Sequence, residues 1–308
     1  MNEQDIEEKT VVVTGGAGFI GSRIADALVD DNEVRVLDDL STGAADNLPD
    51  GVELVEGDVR DEAVVREAVE GADLVFHEAA EVSVTRSIEQ PQRSNDVNLG
   101  GTLNVLEAAR DADARVVFAS SCAVYGVPDG VPISEDAPAR PRSPYAIDKY
   151  AAESYVRAYH DLYGLETVAL RYFNVYGPGQ TAGQYSGVIS IFVDQARRGD
   201  PLTVEGDGTQ TRDFVYVDDV VRANLAAATT DAVGEAFNVG TGSETTIREL
   251  AETVRSVTGS DSDIVHEDAR SGDVPASLAD LRRAREALGY EPTVTLETGL
   301  RRVVEVDD

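Results

Sequence analysis

Apolar positions along the first part of the chain switch between two periods. Thr10–Thr14 is a β-branched run of the kind that fills a buried parallel strand, and Ile20, Ile24, Ala27 and Leu28 then recur at helical spacing. The same alternation repeats. Strands are predicted at 33–37, 52–55, 73–77, 115–119 and 167–170. Between them lie a helix carrying Val64, Val65, Ala68 and Val69, an amphipathic helix over 95–110 and a long helix over 145–163. Strand and helix alternating with short links predict an α/β fold built on a doubly wound parallel sheet. Beyond residue 170 the alternation weakens. Helices are expected at 187–198, 219–228, Ile247–Thr258, 278–288 and 296–304, with short strands and turns over 200–217, at 237–239 and at 263–265. The division expected is an acidic tail over 1–9, a Rossmann-type domain over 10–175 and a smaller C-terminal α/β substrate lobe over 176–308. A segment near 214–245 returns to the first domain.

The links between these elements carry the candidate chemistry. Strand 10–14 runs into Gly15-Gly16-Ala17-Gly18-Phe19-Ile20-Gly21, so Gly15, Gly18 and Gly21 occupy a strand-to-helix turn. Glycine permits the tight turn and brings backbone N–H groups close to a pyrophosphate, and the helix N-terminus favours that anion. The second strand ends in Asp38-Asp39, placed to bond adenosine ribose hydroxyls and to repel a 2′-phosphate, which favours NAD over NADP. Gly57-Asp58-Val59 follows the third strand and Ala79-Ala80 the fourth, where small residues allow close approach of a cofactor. His77 reads as a packed or capping histidine. The fifth strand ends in Ser120-Ser121-Cys122-Ala123-Val124-Tyr125-Gly126, with hydroxyls facing the crevice where open α/β sheets bind ligands. A long Pro-rich loop then leads to Tyr145-Ala-Ile-Asp-Lys149, a phenol and an ammonium one helical turn apart.

Composition changes this picture in three ways. The chain has 308 residues, ample for a sizeable core, and its single cysteine, Cys122, rules out an intrachain disulfide. No Cys/His cluster suggests a metal site, no apolar run is long enough for a membrane helix, and the acidic, polar start is not a secretory signal. A soluble, cytoplasmic protein is expected. Acidic residues number 58 against 26 basic ones, spread over the whole chain, for a net charge of −32. On a globular sequence this resembles the composition of salt-loving organisms, whose cytoplasm screens self-repulsion. No basic stripe is available to meet nucleic-acid phosphates. Among the basic residues only Lys9 and Lys149 are lysines.

Four motifs stand in order: the Gly15–Gly21 turn, the Ser120–Gly126 strand end, Tyr145-x-x-x-Lys149, and Arg212-Asp-Phe-Val-Tyr-Val-Asp-Asp219. Together they resemble the extended short-chain dehydrogenase/reductases, and within them the NAD-dependent sugar-nucleotide epimerase/dehydratase family, over residues 10 to 304. The resemblance is greatest to the UDP-sugar 4-epimerases. It implies a catalytic Ser121, a base Tyr145 and its partner Lys149, whose ammonium, with the positive nicotinamide, is expected to lower the Tyr145 pKa. It further implies Phe19, Ile20, Asn98, Ser120 and Tyr172, with the glycines, Asp38, Asp39, Asp58, Val59, Ala79 and Ala80, at the cofactor. Ser83, Asn174, Val188, Arg212, Arg270, Asp273 and Ser277 fall at the substrate, with the arginines suited to phosphate.

Related dehydratases carry Asp-Glu where this chain has Cys122-Ala123, and related decarboxylases a Glu where it has Ala123; both reactions are therefore disfavoured. A small residue at Ser277 is expected to admit N-acetylated sugars. The reading is interconversion of UDP-glucose and UDP-galactose, and of their N-acetylamino counterparts, by a homodimer paired through helices beginning near Asn95 and Tyr145. Alternatives are another TDP- or GDP-sugar enzyme of this family, or an inert NAD-binding scaffold. Glu78 and Glu205 depart from the family pattern, as does the absence of tryptophan.

Overall fold

The computed structural model describes residues 6–180, 187–269 and 274–306. Seven parallel strands form its centre: β1 (Thr10–Thr14), β2 (Glu33–Asp38), β3 (Glu53–Glu56), β4 (Leu74–His77), β5 (Arg115–Ser121), β6 (Thr167–Tyr172) and, from much later in the chain, β11 (Glu235–Val239). Their spatial order is β11-β6-β5-β4-β1-β2-β3. The winding direction reverses between β1 and β4, which opens a crevice at the carboxyl ends of those strands. The interior strands are almost wholly buried because helices cover both faces, which is why they read as continuous apolar runs.

On one face α1 (Gly21–Leu28), α8 (Val217–Thr229) and α10 (Arg282–Leu288) bury Ile24, Leu28, Val220, Ala223 and Leu288 against the sheet. On the other, α2 (Glu62–Val69), α5 (Thr102–Ala112) and α6 (Pro144–Tyr163) bury Val65, Leu106 and Val156. A third core joins α7 (Val188–Arg198), α9 (Ile247–Thr258) and α11 (Leu296–Val306) through Phe192, Leu250 and Leu300. Three small pairings edge it: β7 (Asn174–Tyr176) with β10 (Phe214–Tyr216), β8 (Leu202–Glu205) with β13 (Ile264–Glu267), and β9 (Thr211–Arg212) with β12 (Thr245–Thr246). No helix among the described residues is long and apolar enough to cross a membrane.

The helix that positions the Tyr–Lys pair is specified at both ends. Ser143 caps α6 by accepting from the Ala146 N–H at 3.2 Å, Pro144 occupies its first turn, and Gly164 ends it in the left-handed region at φ 73°. Two expectations are corrected. The helix predicted over 95–110 runs unbroken but is not regular α-helix from its start, and two short helices precede it. α3 (Val84–Glu89) and α4 (Pro91–Asn95) come first, a wide π turn spans Asp96–Gly101, and regular helix begins at Thr102. Each of the two early helices is too short to display a 3.6-residue period. A Cβ at Gly101 would lie 2.6 Å from a Val59 methyl, so glycine there lets the chain pass close to the loop after β3. The helix predicted from 278 starts at Arg282. The residues before it are extended, with Ala276 bridging Thr211 and Ala279 bridging Ile133.

Candidate active site

The glycine turn lies at the β1 side of the crevice. Gly15 has φ 68°, and a Cβ there would lie 2.6 Å from the Ala79 nitrogen, so the turn and the segment after β4 touch through backbone alone. A Cβ on Gly21 would lie 2.3 Å from the Gly15 carbonyl oxygen. The N–H groups of Phe19 and Ile20 have no acceptor among the described residues. They stand ready for an anion at the start of α1. Asp38 is buried at the end of β2. One carboxylate oxygen accepts from the Ala17 N–H at 2.9 Å and the other from Leu40 N–H at 2.8 Å. Burial raises its pKa and these two bonds hold it down. Asp39 is exposed and accepts from Ser41. Asp58 is held by Arg60, which lowers its pKa, and the Val59 carbonyl accepts from Asn104. Ala80 is half-buried beside Ala79. A small-residue turn with free N–H groups and a strand-end carboxylate is a donor and acceptor set that fits a dinucleotide.

Across the crevice β5 and α6 bring Ser121, Tyr145 and Lys149 together. Ser121 accepts from the Ala123 N–H at 3.2 Å, and its hydroxyl lies near enough to the Tyr145 phenol to favour its ionised form. The Lys149 ammonium is buried. It donates to the Ala119 carbonyl at 2.7 Å and sits 4.9 Å over the Phe118 ring. The expected lowering of the Tyr145 pKa is not what the chain's own groups produce. Burial is the largest influence and pushes the phenol up to about 12; the Ser121 hydroxyl pulls the other way, while Cys122 and Glu78 push it further up. Burial also pushes Lys149 down to about 8. His77 is buried and neutral, at about 3. The Thr14 hydroxyl donates to Nδ1 at 2.6 Å, and Nε2–H donates to the Thr102 oxygen at 2.9 Å, since Thr102 gives its own proton to the Asn98 carbonyl.

Ser120, expected at the cofactor, is turned away from it. Its hydroxyl donates to Glu153 at 2.6 Å. Strand register pairs Ser120 with Arg171 and Ser121 with Tyr172, so the two serines follow opposite faces. Tyr172 is buried and donates to Glu78 at 2.7 Å. The Asn98 amide clasps the Glu81 backbone through both its oxygen and its nitrogen. Ser83 caps α3. Asn174 donates to the Asp213 carbonyl, Val188 opens α7, and Arg212 donates to the carbonyls of Thr211 and Val274. Ser277 is buried near the Cys122 thiol, whose pKa burial pushes up to about 11. Arg270 and Asp273 lie outside the described residues. No group of three metal-ligating side chains occurs among the described residues.

Sequence reasoning passed over a buried network behind the site. Glu153 lies one helical turn beyond Lys149 and pairs with Arg171 at 2.5 Å, both side chains almost inaccessible. Arg171 also donates to Tyr125 at 2.8 Å and to the Glu135 carbonyl at 2.9 Å, and Tyr125 donates to Asn238 at 2.6 Å. The signal available was the i+4 continuation from Lys149. A second anchor is Asp213, fully buried, which accepts from Thr241, Gly242 and Ala279.

Comparison with known proteins places this geometry. Residues 11–240 match the model of the NAD dependent epimerase/dehydratase family. A UDP-glucose 4-epimerase of Mycolicibacterium smegmatis is 42% identical over 303 residues, covering 96% of this chain and 97% of that protein. The structure of a UDP-N-acetylglucosamine 4-epimerase from Methanobrevibacter ruminantium, solved with UDP-N-acetylmuramic acid, superposes with a TM-score of 0.94 at 39% identity, over 97% of this chain and 98% of that one. A UDP-N-acetyl-alpha-D-glucosaminuronate decarboxylase of Bacillus cytotoxicus is 35% identical over 97% of both. Family membership of this breadth agrees with the strand-to-helix glycine turn, the buried Asp38 and the Ser121–Tyr145–Lys149 cluster. The chain belongs to the NAD dependent epimerase/dehydratase family, with NAD as its cofactor.

Proposed function

We propose that the chain is a UDP-sugar 4-epimerase that interconverts UDP-glucose with UDP-galactose and UDP-GlcNAc with UDP-GalNAc. The observation that carries this reading is the Ser121–Tyr145–Lys149 cluster with no second acid or base beside Ser121. Cys122 is held protonated by burial and Ala123 has no proton to give, so elimination and decarboxylation lack a partner there. Bound NAD supplies a hydride acceptor and donor for the sugar carbon. Tyr145 removes the proton from the sugar hydroxyl and later returns it. Ser121, close to the phenol, holds the same oxygen or relays that proton. Lys149, held on the Ala119 carbonyl, places a buried positive charge on the same helix face, but drawing the phenol toward phenolate needs charge beyond the chain's own groups, which the nicotinamide of bound NAD would supply. Arg212 and Asn174 border the lobe that would receive the nucleotide, Ser83 and Val188 flank it, and Ser277 leaves room beside the sugar.

Four substrates, UDP-glucose, UDP-galactose and the two N-acetyl forms, are incubated with the purified protein and the products read by proton NMR. An epimer with no net change in NADH absorbance is expected for each pair. A 4,6-dehydrated or decarboxylated product would overturn the reading, as would full activity in Tyr145→Phe. Turnover of the plain hexoses alone would remove the N-acetyl part. The same proposal includes a homodimer, because α6 exposes Ile147, Tyr150, Tyr155 and Leu162 to solvent. Sedimentation in high salt tests that, and a monomer would refute it.

A further inference from the structure

The proposed chemistry leaves unused a line of buried polar side chains that runs from β1 to the first turns of α6. Thr14, His77, Thr102, Asn98, Ser94 and Asp148 are all buried, and each is bonded to the next. The Thr14 hydroxyl donates to His77, whose other ring nitrogen donates to Thr102. Thr102 donates to the Asn98 carbonyl at 2.6 Å, and the Asn98 amide nitrogen donates to Ser94 at 3.3 Å. The Ser94 hydroxyl donates to Asp148 at 2.6 Å. The π turn at Asp96–Gly101 lies inside this line and carries Asn98. A fully bonded polar line adds little stability over apolar side chains of the same shape; it gives its members fixed positions.

What the line holds is the backbone of segment 79–83, proposed to meet cofactor and substrate through Ala79, Ala80 and Ser83. That segment belongs to no strand or helix, and side chains take the place of a ladder. The Glu81 N–H donates to the Asn98 side-chain oxygen at 2.8 Å, and the Glu81 carbonyl accepts from the Asn98 nitrogen at 3.0 Å. The Ala79 N–H reaches the Thr14 hydroxyl at 3.4 Å. At the far end of the line Asp148, 4% exposed, lies between Tyr145 and Lys149 on α6. The two neighbours diverge. Lys149 turns to the Ala119 carbonyl of β5, whereas Asp148 turns to α4, accepting from Ser94 and, at 3.0 Å, from Asn95.

We propose that Asp148 is a positioning residue: bonded to Ser94, and through it to Asn98, it fixes segment 79–83 against the helix that carries Tyr145 and Lys149. Its consequence for the reaction rests on the reading of Tyr145 and Lys149 given above; its hold on the segment does not. Without the carboxylate, the Ser94 proton turns to a carbonyl of its own helix. The Ser94 oxygen then no longer faces Asn98, α4 loses both of its bonds to α6, and the Asn98 clasp on Glu81 loosens. Reaction rates respond steeply to such shifts, since a displacement of about 1 Å costs on the order of 100-fold.

Hydrogen exchange on the NAD-loaded protein, read by mass spectrometry, tests this. In Asp148→Ala the peptide covering 79–83 is expected to exchange about tenfold faster, while peptides from β11 and α9 keep their parental rates. For UDP-glucose, kcat falls by about 10–100-fold and KM changes by less than about threefold, because the proposed nucleotide contacts lie in the other lobe. Asp148→Asn keeps an acceptor for Ser94, and the exposed Asn95 amide can turn its oxygen to the new nitrogen, so this variant restores most of both. Parental exchange at 79–83 in Asp148→Ala overturns the proposal, as does exchange that rises equally across the fold. Faster exchange confined to 79–83, with a product other than the 4-epimer, upholds it while removing the 4-epimerase reading. Should Asp148→Ala fail to fold, Ser94→Ala cuts the same line at the next residue, and an unchanged 79–83 peptide in that variant overturns it.

Discussion

The anchor of α6 is open to a quantitative test. Glu153 and Arg171 are both almost fully buried, and the carboxylate accepts from Arg171 Nη2 at 2.5 Å, Arg171 Nε at 2.9 Å and the Ser120 hydroxyl at 2.6 Å. Glu153→Ala removes both acceptor oxygens, and with them all three bonds, and leaves a guanidinium in the core. The bonds of Arg171 to Tyr125 and the Glu135 carbonyl provide no opposite charge. Breaking a buried pair from one side costs about 3–5 kcal/mol. Unfolding entropy of about 2.1 cal/mol/K per residue gives roughly 0.65 kcal/mol/K for a chain of this length. Tm should therefore fall by about 5–8 °C. The double variant Glu153→Leu/Arg171→Met removes both charges and should recover to within about 1–2 kcal/mol of the parent.

Thermal unfolding by circular dichroism at constant salt reads all three proteins. The reasoning is refuted if Glu153→Ala melts within about 1 °C of the parent, or if the double variant melts no higher than Glu153→Ala. Activity adds a second reading. Glu153 is the last residue of a buried column that begins at Tyr145, so loosening it should lower kcat while leaving KM little changed.

Three further outcomes follow from named contacts. His77 is neutral in the fold at about 3 against about 6.5 unfolded, so the unfolded chain binds one more proton below about pH 6.5, and stability falls with acid by up to about 1.4 kcal/mol per pH unit until the folded group titrates; His77→Gln should flatten that slope in denaturant titrations between pH 6 and 4. Ser277→Tyr should cut turnover of the N-acetyl sugars at least tenfold while sparing UDP-glucose, and equal loss on both would show that the residue does not select. Asp213→Asn places an amide nitrogen among the N–H donors of Thr241, Gly242 and Ala279, costing about 1–3 kcal/mol and raising KM for the nucleotide sugar, because the segment it holds also carries Val274 and Ser277; an unchanged KM would detach that segment from binding.

Much of this arrangement was legible in the sequence because it is local. The glycine turn, the acid at the end of β2 and the Tyr145–Lys149 spacing are each set within one element or one link, where periodicity and backbone sterics speak directly. What escaped depends on distant segments. Ser120 and Ser121 were both assigned to the site, although strand alternation puts neighbours on opposite faces. Only the register with Arg171 and Tyr172 identifies which serine turns to Tyr145. The start of α10 was misplaced because residues 276 and 279 are claimed by bridges to Thr211 and Ile133, partners far away in the chain. Glu153 and Arg171 were passed over, since the i+4 step from Lys149 marks the face of Glu153 but its partner lies on another strand of the fold.

The charge balance of the chain acquires a sharper meaning once the interior is separated from the surface. A net charge of −32 suggests repulsion everywhere, yet the buried acids are each committed: Asp38 to the N–H groups of Ala17 and Leu40, Glu81 to Arg86, Glu153 to Arg171, Asp148 to Ser94 and Asn95, Asp213 to backbone donors and Thr241, and Asp219 to Thr293, Val294 and Arg222. No buried side-chain polar atom lacks a partner among the described residues. The unbalanced acid is thus at the surface, where salt screens it. The preference for arginine over lysine stops at one interior position for a related reason. The pocket at Lys149 offers one carbonyl and one aromatic face. A guanidinium carries five donors in a rigid plane and would leave most of them unmet there, at the cost of a buried unsatisfied charge. An ammonium needs fewer partners and can lose its proton within the physiological range.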